Sequence, residues 1–73
     1  MTKFYVGYLQ GNDEYIYVAG VDNSNVRIST IPEGAIGFDD VKLAKSLLAI
    51  AKTLVDNLDY VVLEITTDIK EVK

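Results

Sequence analysis

Between Val41 and Leu58 the apolar side chains recur so that nearly all of them fall on one half of a helix. With about 100° of rotation per residue, Val41, Leu43, Ala44, Leu47, Leu48, Ile50, Ala51, Leu54, Val55 and Leu58 share one side. Lys42, Lys45, Ser46, Lys52, Thr53, Asp56 and Asn57 take the other, and only Ala49 strays. A stripe this wide needs a sheet, or a sheet and a second subunit, to cover it. The pattern constrains architecture far more than activity, because no catalytic or metal-binding signature accompanies it.

Seventy-three residues make one domain, 1–73, with a small core. A core of this size supplies only about 3–5 kcal/mol of net stability, so many such chains add a staple or a partner. The chain has neither cysteine nor histidine, so no disulfide, structural zinc or other cofactor is expected. A hydrophobic content of 49% argues against intrinsic disorder. Oligomerisation is the stabiliser that remains. Eleven acids against seven bases give a net charge of −4, opposite to the basic excess by which phosphate contacts are made. The longest apolar run, Leu47 to Ala51, is too short to span a bilayer. Met1-Thr2-Lys3 leads straight into strand-like sequence rather than a signal segment, so a cytoplasmic chain is expected.

Lys3–Leu9 and Glu14–Ala19 are rich in aromatic and β-branched residues and flank Gln10-Gly11-Asn12-Asp13, which predicts a β-hairpin. Asp22-Asn23-Ser24-Asn25 predicts a second turn, and Val26–Ile31 a third strand closed by Pro32-Glu33-Gly34. Asp39 stands at the expected helix N-cap, with Phe38 and Leu43 at the spacing of a hydrophobic staple. The helix is expected to end near Asp56, with Asn57 left-handed beyond it. Tyr60–Thr66 reads as the last strand and 67–73 as a frayed tail. An 18-residue helix of about 27 Å matches strands of about 23 Å. The order β-β-β-α-β therefore predicts a two-layer α+β domain, a three- to four-stranded mainly antiparallel sheet with one helix on one face.

Alternation sorts the strand side chains between the two faces. Phe4, Val6 and Tyr8, Ile16 and Val18, and the aliphatic set Val61, Leu63 and Ile65 are assigned to the helix side. Tyr5, Tyr15, Tyr17, Tyr60 and Val62 then form the outer face, with Leu9 at its margin. Tyrosine is enriched at interfaces, yet cross-strand tyrosine pairs also stabilise a sheet by about 0.2–1 kcal/mol with no partner. Leu43 and Ile50, at the edge of the helix stripe, are the other candidate contacts.

Other features carry little chemistry. Asp39 and Asp40 diverge at a helix start, where they cap rather than form an acid–base pair. Asp22-Asn23-Ser24-Asn25 lacks the glycine and closing glutamate of a calcium loop. Gly34-Ala35-Ile36-Gly37 lacks the lysine and spacing of a phosphate loop. Lys42, Lys45 and Lys52 make a solvated strip, and no histidine is present to activate a serine or threonine. No enzymatic activity and no small-molecule substrate are expected.

Lys3-Phe4-Tyr5-Val6, the run Glu14-Tyr15-Ile16-Tyr17-Val18-Ala19-Gly20-Val21, and the lysine-spaced helix ahead of Tyr60-Val61-Val62-Leu63-Glu64 together give a layout over nearly the full length. That layout resembles small phage and prophage open reading frames of Gram-positive bacteria. The resemblance implies no activity and assigns no residue a role; it implies a host-directed or regulatory binding function. The expectation is a non-enzymatic interaction protein, self-associating as a dimer or binding another protein through the tyrosine face or the Leu43–Ile50 helix edge. The alternatives are single-stranded nucleic-acid binding on the sheet tyrosines and acidic inhibition of a host enzyme.

Overall fold

The computed structural model describes residues 2–72. Among the described residues three strands, β1 (Lys3–Gln10), β2 (Glu14–Val21) and β3 (Val26–Ser29), precede one α-helix, α1 (Val41–Leu54), which β4 (Val61–Ile65) and β5 (Ile69–Val72) follow. The α+β class is as expected, but the sheet has five strands, in the order β3-β2-β1-β4-β5, every neighbouring pair antiparallel. The additional strand lies in the expected tail: Ile69–Val72 pairs with β4, Ile65 opposite Ile69. The sequence hid it because Ile69 and Val72 fall on opposite faces and charged residues surround them.

The β1–β2 hairpin closes through Gly11, with Asn12 and Asp13 both left-handed at φ 74° and 59°. Asparagine and aspartate are the residues that tolerate this region best after glycine. In β2 a register shift between Val18 and Gly20 turns Val21 toward the helix side, where it and its neighbour Val26 pack on the core. Strand β3 stops at Ser29 rather than Ile31. The Ser29 hydroxyl donates to the Ile31 carbonyl at 2.7 Å and accepts from its N–H at 3.2 Å, a local turn that competes with the ladder.

Beyond a short 3₁₀ turn over Pro32–Gly34, the chain runs extended between β1 and β2. Ile36 donates to the Val18 carbonyl at 3.3 Å, and Phe38 exchanges two 2.8 Å bonds with Phe4. One step further along this pairing Lys3 meets Asp39, Nζ to Oδ1 2.7 Å. Asp39 is thereby spoken for, and Asp40 is the N-cap, accepting from the Lys42 N–H at 2.9 Å. The expected staple does not form at that position: Phe38 is committed to Phe4, and Leu43 is exposed. The helix ends earlier than expected, with extended Val55 at its C-cap. Asn57 is not left-handed. Val55 is β-branched and favours extended backbone, and the chain there must turn back toward β4.

The helix lies over β1 and β4. Ala44, Leu47 and Ala51 face Val6, Val18, Tyr60 and Val62 in one buried cluster. Phe4, Val6 and Tyr8, with Val18, sit on the helix side as expected, and the register puts Ile16, opposite Tyr8, on the same side. The assignment for β4 is reversed. Val62 pairs with Val6 and points at the helix, so Leu63, opposite Tyr5, points away. Tyr60 is accordingly 7% exposed beneath the helix, its ring edge-to-face with Tyr8 at 5.9 Å.

The Tyr60 hydroxyl is buried with no hydrogen-bond partner among the described residues. A donor held away from water without a partner costs about 1–3 kcal/mol. Tyr60→Phe is therefore expected to stabilise the domain by about 1 kcal/mol, a rise in Tm of about 4–8 °C for a chain of this size. Calorimetry of the variant checks it, and an unchanged or lower Tm would mean that the hydroxyl has a partner.

Candidate functional site

Of the residues expected on the outer face, Tyr5, Tyr15 and Tyr17 are there, while Tyr60 and Val62 belong to the core under α1. The outer face is not an open aromatic layer. Neighbouring strands of a sheet rotate by about 20–25° relative to one another, so four successive strands from β2 to β5 swing distant corners toward each other. Tyr15 of β2 thus donates its hydroxyl to Glu71 Oε2 of β5 at 2.5 Å, across the two strands between them. Tyr5 and Tyr17 meet edge-to-face with ring centroids 6.1 Å apart. Two glycines seat this layer. A Cβ on Gly37 would come within 2.9 Å of the Tyr5 ring, and one on Gly7 would come within 3.1 Å of Leu63 Cδ1. Leu63 is 0% exposed and Tyr17 only 4%. The outer face is a second, smaller core closed by its own side chains.

The closure has an electrostatic signature. Ionising Tyr15 would set a phenolate against the Glu71 carboxylate it now bonds, and its pKa is pushed up to about 12. Burial raises Tyr17, helped by the charge of Glu33, and burial raises Tyr60. In each case the folded pKa lies above the unfolded value of 10. The stabilisation is then fully present below pH 10 and is lost as pH rises through the folded values, because the unfolded chain gives up these protons first. Urea unfolding is expected to show falling stability from about pH 10 to about pH 12, with a shallower fall in Tyr15→Phe. A variant as steep as the parent would remove Tyr15 from the account.

The other two candidate residues stand in the open. Leu43 is 53% exposed and Ile50 49%, one heptad apart on the same edge of α1. Ser46 and Thr53 are exposed beside them. The remaining exposed large apolar side chains, Leu9, Ile28, Ile31 and Ile69, come from separate strands and a loop. Sequence reasoning missed Gly37, Leu63 and Glu71 as parts of the outer layer. The one available signal was the unbroken apolar run Tyr60-Val61-Val62-Leu63, the mark of a strand covered on both faces.

Among the described residues there is no cavity and no group of three or more potential metal ligands. No described helix is long and apolar enough to cross a membrane. No family model, curated protein or solved structure matches the chain.

Proposed function

We propose that this chain is a non-catalytic cytoplasmic interaction module that associates with a second copy of itself through the Leu43–Ile50 edge of α1. The observation carrying this reading is that two large apolar side chains stay half exposed on one helix edge, while the tyrosine face spends its apolar surface internally. A small core gains most from shared burial. The β5 edge is a poor alternative. Two-fold pairing of a strand with its own copy sets same-face residues opposite, so Lys70 would meet Lys70 or Glu71 meet Glu71.

The tyrosines support nucleic-acid stacking less well. Stacking needs open ring faces, whereas Tyr17 is nearly covered and Tyr15 is held beside a carboxylate. Sedimentation equilibrium from about 10 µM to about 1 mM tests the proposal, since a small interface of this kind associates weakly. A monomer–dimer equilibrium abolished in Leu43→Ser/Ile50→Ser, with the thermal stability of the monomer kept, is the expected result. A strictly monomeric protein at 1 mM overturns it.

A further inference from the structure

Strand β5 is a charged cover on an apolar strand. Its four residues, Ile69-Lys70-Glu71-Val72, carry two charges, and none is buried; only Val72 is half-buried, against the core under α1. The neighbouring β4, Val61-Val62-Leu63-Glu64-Ile65, carries one charge and buries Val62 and Leu63. A strand of that composition, left bare at the end of a sheet, offers its backbone to any extended chain. A short charged strand laid along it removes that edge.

Little besides the β4 ladder holds β5 in place. All four residues pair with β4, from Ile69 opposite Ile65 to Val72 opposite Val62. The connection between the two strands is the tight turn Thr66-Thr67-Asp68, where the Thr66 N–H donates to the Asp68 carbonyl at 3.2 Å. The helix lies over β1 and β4, and Ile69 stays 45% exposed. Among the described residues β5 makes one side-chain hydrogen bond, accepted by Glu71 from the Tyr15 hydroxyl. That bond reaches past β4 and β1 to β2, so Glu71 cannot leave β4 without breaking it.

We infer that β5 is a detachable strap. It swings off β4 as a unit about the Thr66–Asp68 turn while the other four strands and α1 stay folded, and the Tyr15–Glu71 bond is the latch that holds it shut. Segments with few buried side chains and exposed backbone bonds are the first to open in a folded protein. Opening gives up a four-residue ladder, one half-buried valine and the latch. Parting β1 from β2 instead breaks into the buried cluster of Val6 and Val18 and uncovers Tyr17. Closed, the strap denies the β4 edge to other chains; open, it presents that edge and the side of Leu63 that Glu71 shares. The latch therefore controls access to an edge suited to an extended, apolar strand.

Native-state hydrogen exchange read by NMR tests the strap on the parent, Tyr15→Phe, Glu71→Ala and the double variant. In the parent, the β5 amides bonded to β4 are expected to exchange at least tenfold faster than the ladder amides between β1 and β2. Their rates should hardly change in dilute urea, because a local opening exposes little surface. Each single variant should speed β5 exchange about fivefold, the range of one hydrogen bond. The double variant should add nothing further, since both changes remove the same bond. Equal rates in β5 and the β1–β2 ladder would mean that β5 leaves only with the whole fold, and would overturn the strap. Exchange of β5 unmoved by either variant would overturn the latch and the control of access that rests on it.

Discussion

Gly7→Ala is expected to be the most damaging single-methyl change in the molecule. The Cβ it adds would lie 2.5 Å from the backbone carbonyl oxygen of Ile16 and 3.1 Å from Leu63 Cδ1. A side-chain end can swing away, but the Ile16 carbonyl belongs to β2, paired with β1 through Gly7 opposite Tyr17. Relief therefore requires the two strands to part or the hairpin to shear. Overpacking of this kind costs about 3 kcal/mol, comparable with the whole net stability of a core this small. Chemical denaturation should find a large share of Gly7→Ala unfolded in plain buffer. Adding Leu63→Ala should not rescue it, since the nearer obstacle is backbone. A Gly7→Ala protein as stable as its parent would mean that β1 and β2 are further apart than described.

Leu63→Ala should come next, at about 3 kcal/mol, the usual cost of emptying a fully buried leucine site. The figure discriminates because of where Leu63 points. Were the face away from the helix an ordinary solvated layer, truncating a side chain there would change stability by less than about 0.5 kcal/mol. Leu63 instead lies beneath the outer layer with Tyr5 opposite it, and its exposure is nil. Thermal unfolding of Leu63→Ala beside Leu43→Ala gives an internal control. The helix-edge change should cost little, because Leu43 is half exposed in the monomer.

The two changes bear on what could be read from residues alone. The helix is legible because its apolar positions recur with one period, and the first hairpin because a turn cluster separates two strand-like runs; in β1 Phe4, Val6 and Tyr8 compete with Tyr5, Gly7 and Leu9, and the former set, with Ile16 and Val18, is the inward one. In β4 the run Tyr60-Val61-Val62-Leu63 is apolar at both parities, so alternation carries no information about its direction. The uniformly aliphatic set Val61, Leu63 and Ile65 has the composition of a core, which is why sequence alone assigns it to the helix side. What decides the matter is non-local. Val62 is held opposite Val6 by pairing with β1, and Tyr60 then meets Tyr8 under α1.

Strand β5 was illegible for a related reason. Its four residues bury little of their own. They are placed by the β4 ladder and by the bond from Tyr15 to Glu71, a partner 56 residues away. Asp39 and Asp40 were both readable as caps, and only the approach of Lys3 separates them. Of the candidate surface, Leu43 and Ile50 were visible as the rim of the helix's apolar stripe. That Leu63 would be covered on the face away from the helix was not, because the Tyr5–Tyr17 ring contact and the Tyr15–Glu71 bond join strands distant in sequence.

Closure of the outer face is what redirects attention from the tyrosines to the helix edge, and NMR reads it directly. In a methyl-labelled sample, nuclear Overhauser contacts from the Leu63 methyls should reach the ring protons of Tyr5 and Tyr17, with none to the methyls of Leu47 or Ala51. Contacts from Leu63 to Leu47 or Ala51, with the Tyr5 and Tyr17 rings silent, would put that leucine under the helix and contradict the account.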